Sequence, residues 1–231
     1  MTFLLIGVAT MALVLGPQLW VRWIFYRYKS NLPGMPGTGA ELARHLLTRF
    51  EITEVVVEEG ERYRDHFDSS TPAIRLSPDN YHGKSLTAIA VAAHEVGHAI
   101  QWHRNEEIFQ LRSCYIPLAM RLQRLGLLAL SAAPFLGILT RHPVGVGVPL
   151  VGGAMVALCG AATYLIVLPE EWDASFNKAM PVLTDGGYIS EAQAPAVKRI
   201  LSAAAITYAA SALASILQVW RWLPVILKRG F

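Results

Sequence analysis

The stretch VGVGVPLVGGAMVALCGAATYLIVL, Val144 to Leu168, decides the fold class. It carries no charged residue and exceeds the ~20 apolar residues that a membrane-crossing helix requires. Working outward, Ile116 to Leu139 is a second apolar run, interrupted by Arg121 and Arg124, which must snorkel or face protein. Only Thr140-Arg141-His142-Pro143 separates the two, so a helical hairpin is expected. Thr2 to Val21 and Ile200 to Trp220 complete a set of four. The first has no basic leading region and no small-residue cleavage site, and Arg22, Arg27 and Lys29 follow it directly. It reads as a retained anchor and not a signal peptide. The last ends in Trp220-Arg221-Trp222, an interfacial pattern.

Small residues recur at four-residue intervals at Gly153, Ala157 and Ala161, and again at Ala203, Thr207, Ser211 and Ser215. Such stripes let helices approach closely in lipid, and packing within this chain is the expected use. The composition agrees with a lipid-facing chain: of 231 residues 53% are hydrophobic and 16% charged, where a soluble domain carries about 25% charged. The net charge of +3 suits an anionic membrane surface. It is too small and too scattered for nucleic-acid binding. Cys114 and Cys159 form no CxxC pair and read as small buried apolar residues. Arg22, Arg27 and Lys29 follow the first span, Arg112, Arg121 and Arg124 cluster before the second, and Lys178, Lys198 and Arg199 lie between the third and fourth, against Arg141, Lys228 and Arg229 on the opposite side. The positive-inside rule places the segments 30–115 and 169–199 in the cytoplasm and both termini outside.

Between the first two runs lies a hydrophilic stretch. Asn31 to Gly39 is a Pro/Gly linker, and Thr38 with Glu41 makes a capping-box pattern that opens a helix over 39–50. Strands are expected at Ile52 to Glu58 and at Ala73 to Ser77, and a longer helix from Ser85 through His103. This is enough for a small α+β unit resting on the membrane helices.

That longer helix contains His94-Glu95-Val96-Gly97-His98, an H-E-x-x-H sequence. Residues four apart share a helix face, so both imidazoles can reach one zinc ion. Glu95 is rotated by about 100° from His94 and stands beside the ion, where it can act as general base toward a water that zinc activates. Gly97 leaves space close to the metal. Catalytic zinc usually takes three protein ligands and an open position. His45, His66, His82, His103 and His142 are candidates for the third. His103 falls on the opposite helix face, and His142 lies in the turn across the membrane. His66 sits in Asp65-His66-Phe67-Asp68, a site loop or a polar turn. Acids also cluster in Leu168-Pro169-Glu170-Glu171-Trp172-Asp173, where the hairpin returns the chain to the side of the His94 helix and a new helix is expected after Pro169. Glu170 and Glu171 differ by about 100° of helix rotation, so both cannot face the metal well.

Ala92 through Gln101, and Leu168-Pro169 through Glu171-Trp172-Asp173-Ala174-Ser175, resemble the YugP-like neutral zinc metallopeptidases of bacterial membranes. Thr38-Gly39-Ala40-Glu41, the Asp65 to Asp68 element and the Ala203 to Gln218 span are similar too, so the resemblance covers nearly the whole chain. It implies a membrane peptidase with a glutamate as third ligand, in the manner of HtpX-like enzymes, and points to Glu171, with Asp173 orienting an imidazole N–H. Position 170 is apolar in the family pattern and Glu here; Asp173 is Asn in some relatives.

The expectation is one domain over 1–231, a mainly α integral membrane protein. It has about four transmembrane helices (2–21, 116–139, 144–168, 200–220) and a small α+β zincin-like unit built from 30–115 and 169–199. Its metal is Zn2+ on His94, His98 and Glu171, its base is Glu95, and its substrates are peptides or membrane proteins. The strand at 73–77 is expected at a sheet edge, free to bind extended substrate. The rival reading is a non-catalytic, zinc-containing membrane adaptor that docks a partner membrane complex; an adaptor has no use for the base at Glu95.

Overall fold

The computed structural model describes residues 2–132 and 144–217. It is mainly helical with one three-stranded sheet. The chain forms two compact units, one of Pro17–Gln110 with Pro169–Thr207, the other of Met1–Gly16, Leu111–Leu168 and Tyr208–Phe231.

The first unit begins in α1 (Thr2–Arg27) and runs through α2 (Gly39–Arg49), β1 (Val56–Glu59), β2 (His66–Asp68), β3 (Ala73–Leu76), α3 (Pro78–Tyr81) and α4 (Leu86–His103). It resumes at the end of α6 (Val144–Trp172), followed by a π-helical segment (Asp173–Ala179), α7 (Met180–Asp185) and the start of α8 (Ala194–Leu217). The expected capping box starts α2: Glu41 N–H donates to Thr38 Oγ1 at 3.2 Å, and Thr38 N–H to Glu41 Oε2 at 2.8 Å. Helix α4 starts where Ser85 Oγ accepts the Ala88 N–H at 3.1 Å. Every residue from Leu86 to Gln101 is buried, because α2 packs on one side of α4 and the π-helical segment on another. An apolar all-round helix is what such a central position demands. Leu46 of α2, Ile74 and Leu76 of β3, Val96 of α4, Leu183 of α7 and Ile200 of α8 join it in one core. Each such side chain contributes roughly 1.5–3 kcal/mol on burial.

The sheet order is β1-β3-β2, with β1 parallel to β3 and β2 antiparallel to it. The strand at 73–77 is therefore central, not an edge. Ala73, Ile74 and Leu76 are all buried, and the half-buried Arg75 between them pairs with acids of both neighbouring strands, Glu58 and Asp68. The edge beyond it is β2, formed by the Asp65 to Asp68 element that reads as a turn. Two aspartates brace it. Asp65 Oδ1 accepts the Ser77 N–H at 2.7 Å and its Oδ2 accepts Asn80 Nδ2 at 3.0 Å; Asp68 pairs with Arg75 at 2.7 Å. Strand β1 begins later than expected, because Ile52 still donates its N–H to Leu47 O at 2.9 Å and closes α2.

The second unit is apolar helices. α5 (Glu107–Ser131) and α6 touch where a Cβ on Gly126 would meet the Gly152 carbonyl oxygen at 2.7 Å, and one on Gly152 the Gly126 oxygen at 2.7 Å. Such backbone approach is how helices pack in lipid. Gly153, Ala157 and Ala161 are buried, whereas Val151, Leu158 and Leu165, seven residues apart, face outward. Arg121 and Arg124 are exposed, and so is Cys114, which does not fill the core as expected. Its position on α5 leaves it on an outer face. Among the described residues one continuous helical stretch, Val151–Asp185, is long and apolar enough to cross a membrane. Of the other three expected spans, 2–21 falls in α1, and 116–131 and 200–217 fall in α5 and α8; residues 133–139 and 218–220 lie outside the described residues. The turn 140–143 with His142, and the tail with Trp220, Arg221, Trp222, Lys228 and Arg229, lie outside the described residues.

Pro169 does not end a helix. α6 continues to Trp172, and the backbone then widens into the π-helical segment without a loop. Proline removes one N–H from the ladder, and the turns beyond it are held by packing on α4.

Candidate metal centre

Helix α4 sets His94 and His98 one turn apart, their rings 4.7 Å between centroids and nearly perpendicular at 82°. The two Nε2 atoms are 3.2 Å apart. Glu171, near the end of α6, brings Oε2 to 3.2 Å from His94 Nε2 and 3.7 Å from His98 Nε2. A tetrahedral zinc with ligands at 2.0–2.1 Å separates its donor atoms by about 3.3 Å. The three observed edges fall on either side of that value, so one ion fits between the atoms without rearrangement. Two imidazoles and one carboxylate are also a known catalytic zinc set, leaving a fourth position open. His94, His98 and Glu171 are only 9%, 6% and 6% exposed.

Electrostatics fit a cation here. Burial alone would raise the Glu171 carboxyl, but the His94 and His98 imidazoles beside it outweigh burial and hold the group well below the usual carboxylate range. Burial would lower His98, but Glu171 and Glu170 outweigh it and raise it. Glu95, beside the cluster, is pushed up to about 7 by burial. His94 and the Phe67 backbone N–H of β2 oppose that rise, while Glu171 and Asp65 add to it.

The far sides of the rings are also engaged. His94 Nδ1 is 3.1 Å from Ser175 Oγ, and His98 Nδ1 is 2.9 Å from Gln101 Oε1. Gln101 Nε2 donates to the Glu170 carbonyl at 3.0 Å and to Asp173 Oδ2 at 2.8 Å. Asp173 thus reaches His98 only through Gln101, not directly as expected. Asn177 Nδ2 donates to Asp173 Oδ1 at 2.8 Å, and Lys178 pairs with both Asp173 and Glu106. Burial would raise Asp173; Lys178, Gln101 and Asn177 outweigh it and lower it. Glu170, fully buried, lies behind His98, its Oε1 3.5 Å from Nδ1. The space at Gly97 is not open to a metal: a Cβ there would meet the Ala174 carbonyl oxygen at 2.7 Å. Glycine lets the π-helical segment close on α4 and so carry Glu171 and Ser175 to the histidines.

The other candidate histidines lie elsewhere. His45 contacts Tyr188 Oη at 2.8 Å, His66 the Arg64 carbonyl at 3.2 Å, His82 Glu59 at 3.1 Å and His103 Glu54 at 3.5 Å. Gln101 and Ser175 are the polar partners that the sequence reading missed. Each has a spacing signal, three residues after His98 and four after Glu171, on the same helix face.

Residues 2–227 match the family described as "Putative neutral zinc metallopeptidase", and the chain belongs to that family. A relative from Bacillus subtilis (strain 168), named "Putative membrane protease YugP", is 32% identical over 229 residues, covering 99% of this chain and 98% of the relative. No solved structure matches the chain.

Proposed function

We propose that this protein is a zinc-dependent endopeptidase of the membrane, with His94, His98 and Glu171 as metal ligands and Glu95 as general base. The observation that carries the reading is the triangle of donor atoms at zinc spacing with a buried carboxyl beside it. When bound, zinc supplies a Lewis acid that polarises the scissile carbonyl and makes water nucleophilic near neutral pH. Glu95 takes the proton released as water adds to the carbonyl carbon, and returns it to the amide nitrogen as the C–N bond breaks. The outer edge of β2, next to Glu95, takes the place of the strand at 73–77 as the surface for extended substrate.

The apolar surface of α1, α5 and α6 supports a multi-pass protein of about four spans, with exposed Val8, Met11, Leu19, Leu127, Leu128, Leu158 and Leu165 facing lipid. The Lys/Arg bias supports a cytoplasmic site. Peptides and membrane proteins are the substrate class.

The test uses purified full-length protein with zinc measured by elemental analysis. Wild type carries about one zinc per chain, and His94→Ala and His98→Ala lose it. Glu95→Gln keeps zinc and loses cleavage by two or more orders of magnitude, about the contribution of a positioned base. Full zinc retention in both histidine variants, or wild-type cleavage by Glu95→Gln, overturns the proposal.

A further inference from the structure

We propose that Gln101 and Asp173 are a positioning pair that locks His98 in one tautomer, protonated at Nδ1, so that Nε2 offers its lone pair to the metal centre. The inference rests on the zinc reading above and assigns a role to two residues that touch no metal.

The argument is a count of donors and acceptors. Gln101 is fully buried and its amide has three partners, His98 Nδ1, the Glu170 carbonyl and Asp173 Oδ2. A carbonyl and a carboxylate only accept. Both must therefore be met by the amide NH2, which leaves Oε1 facing His98 at 2.9 Å. An amide oxygen also only accepts, so His98 must supply an N–H from Nδ1. A neutral imidazole has one such hydrogen, so Nε2 carries the lone pair. Nε2 is the nitrogen that faces His94 and Glu171. Flipping the amide would set its oxygen against two acceptors at once, the Glu170 carbonyl and Asp173, inside a buried site.

Asp173 makes the orientation of Gln101 one-sided. It is itself fixed by Asn177 and Lys178, and Lys178 is tied to Glu106 at 2.8 Å. His94 has no equivalent device. Its Nδ1 faces the Ser175 hydroxyl, which either donates or accepts and so leaves the tautomer open. One histidine is preset for the metal and the other is free to adjust.

The experiment has two readouts on full-length protein in lipid discs: the zinc dissociation constant by chelator competition, and nitrogen NMR of labelled histidines in metal-free protein. Wild-type His98, at a pH where its ring is neutral, should show its one ring proton on Nδ1. Gln101→Met keeps the volume and removes both donor and acceptor; it should mix the His98 tautomers and weaken zinc binding about 10–100-fold. Gln101→Met with unchanged zinc affinity and an unchanged His98 tautomer overturns the proposal. If that variant does not fold, the wild-type spectrum decides, because a His98 proton on Nε2 overturns it equally. Wild-type protein that binds no zinc sinks the metal reading instead, while the metal-free tautomer still decides the role of Gln101.

Discussion

Replacing Gly97 by alanine puts one methyl group into the seam between α4 and the π-helical segment. Its Cβ would lie 2.7 Å from the Ala174 carbonyl oxygen, and 3.2 and 3.3 Å from that residue's Cα and carbonyl carbon. All three are backbone atoms, so relief means moving the segment by something on the order of half an ångström, not turning a side chain. Overpacking of this kind costs about 1–3 kcal/mol. Alanine in a helix interior returns about 1 kcal/mol relative to glycine. The clash wins, with a net loss of about 1 kcal/mol, which lowers Tm by ~2–4 °C for a chain of this size. The same displacement draws Ser175 off His94 and Glu171 off both rings, so zinc affinity should fall about tenfold or more. Heat unfolding and chelator competition on full-length protein measure the two effects separately. A Gly97→Ala protein with a raised Tm and unaltered zinc affinity would show that the seam does not hold the site.

Glu171→Gln should weaken zinc binding at least about tenfold, and Glu170→Gln, of the same shape, should weaken it less; chelator titration of both variants ranks them, and the reverse order refutes the assignment of Glu171. Single cysteines at Asn105 and Thr140, in a background without Cys114 and Cys159, should be labelled from opposite sides of the membrane; labelling from one side breaks the hairpin topology. Asp68 is held well below the usual carboxylate range by Ser70, Arg75 and Thr71. Its contribution to stability is therefore present above the ordinary carboxyl pKa of about 3.9 and is lost as pH falls through the depressed value. Asp68→Asn should flatten the acid limb of denaturant-measured stability below about pH 4 and leave the slope at neutral pH unchanged.

Most of the candidate metal centre was legible because its chemistry is local or repetitive. The i, i+4 histidines, the Thr38–Glu41 box and the Ser85 to His103 helix follow from helix geometry alone. Glu171 emerged through resemblance, since helix rotation separates it from Glu170 but does not say which faces the metal. What stayed hidden depends on tertiary contact. β2 is three residues long with an aspartate at one end and another just before it, and only pairing with β3 makes it a strand. The sheet order that puts 73–76 in the middle is a property of pairing, not of any run of residues. The π-helical segment is a shift in backbone hydrogen bonding with no compositional mark. Gln101 reads as an ordinary polar residue at a helix end until Asp173 and the Glu170 carbonyl are seen opposite it.

The metal donors come from chain segments far apart in synthesis order. His94 and Ser175, which touch, are 81 positions apart, and the α5 and α6 runs lie between them. A nascent chain that has emerged only through α5 holds two imidazoles and a base but no carboxylate ligand. The candidate centre is thus completed only after the ribosome has delivered the apolar helices that precede Glu171. On the proposed activity, an immature chain among other unfolded polypeptides has no assembled centre with which to cut them.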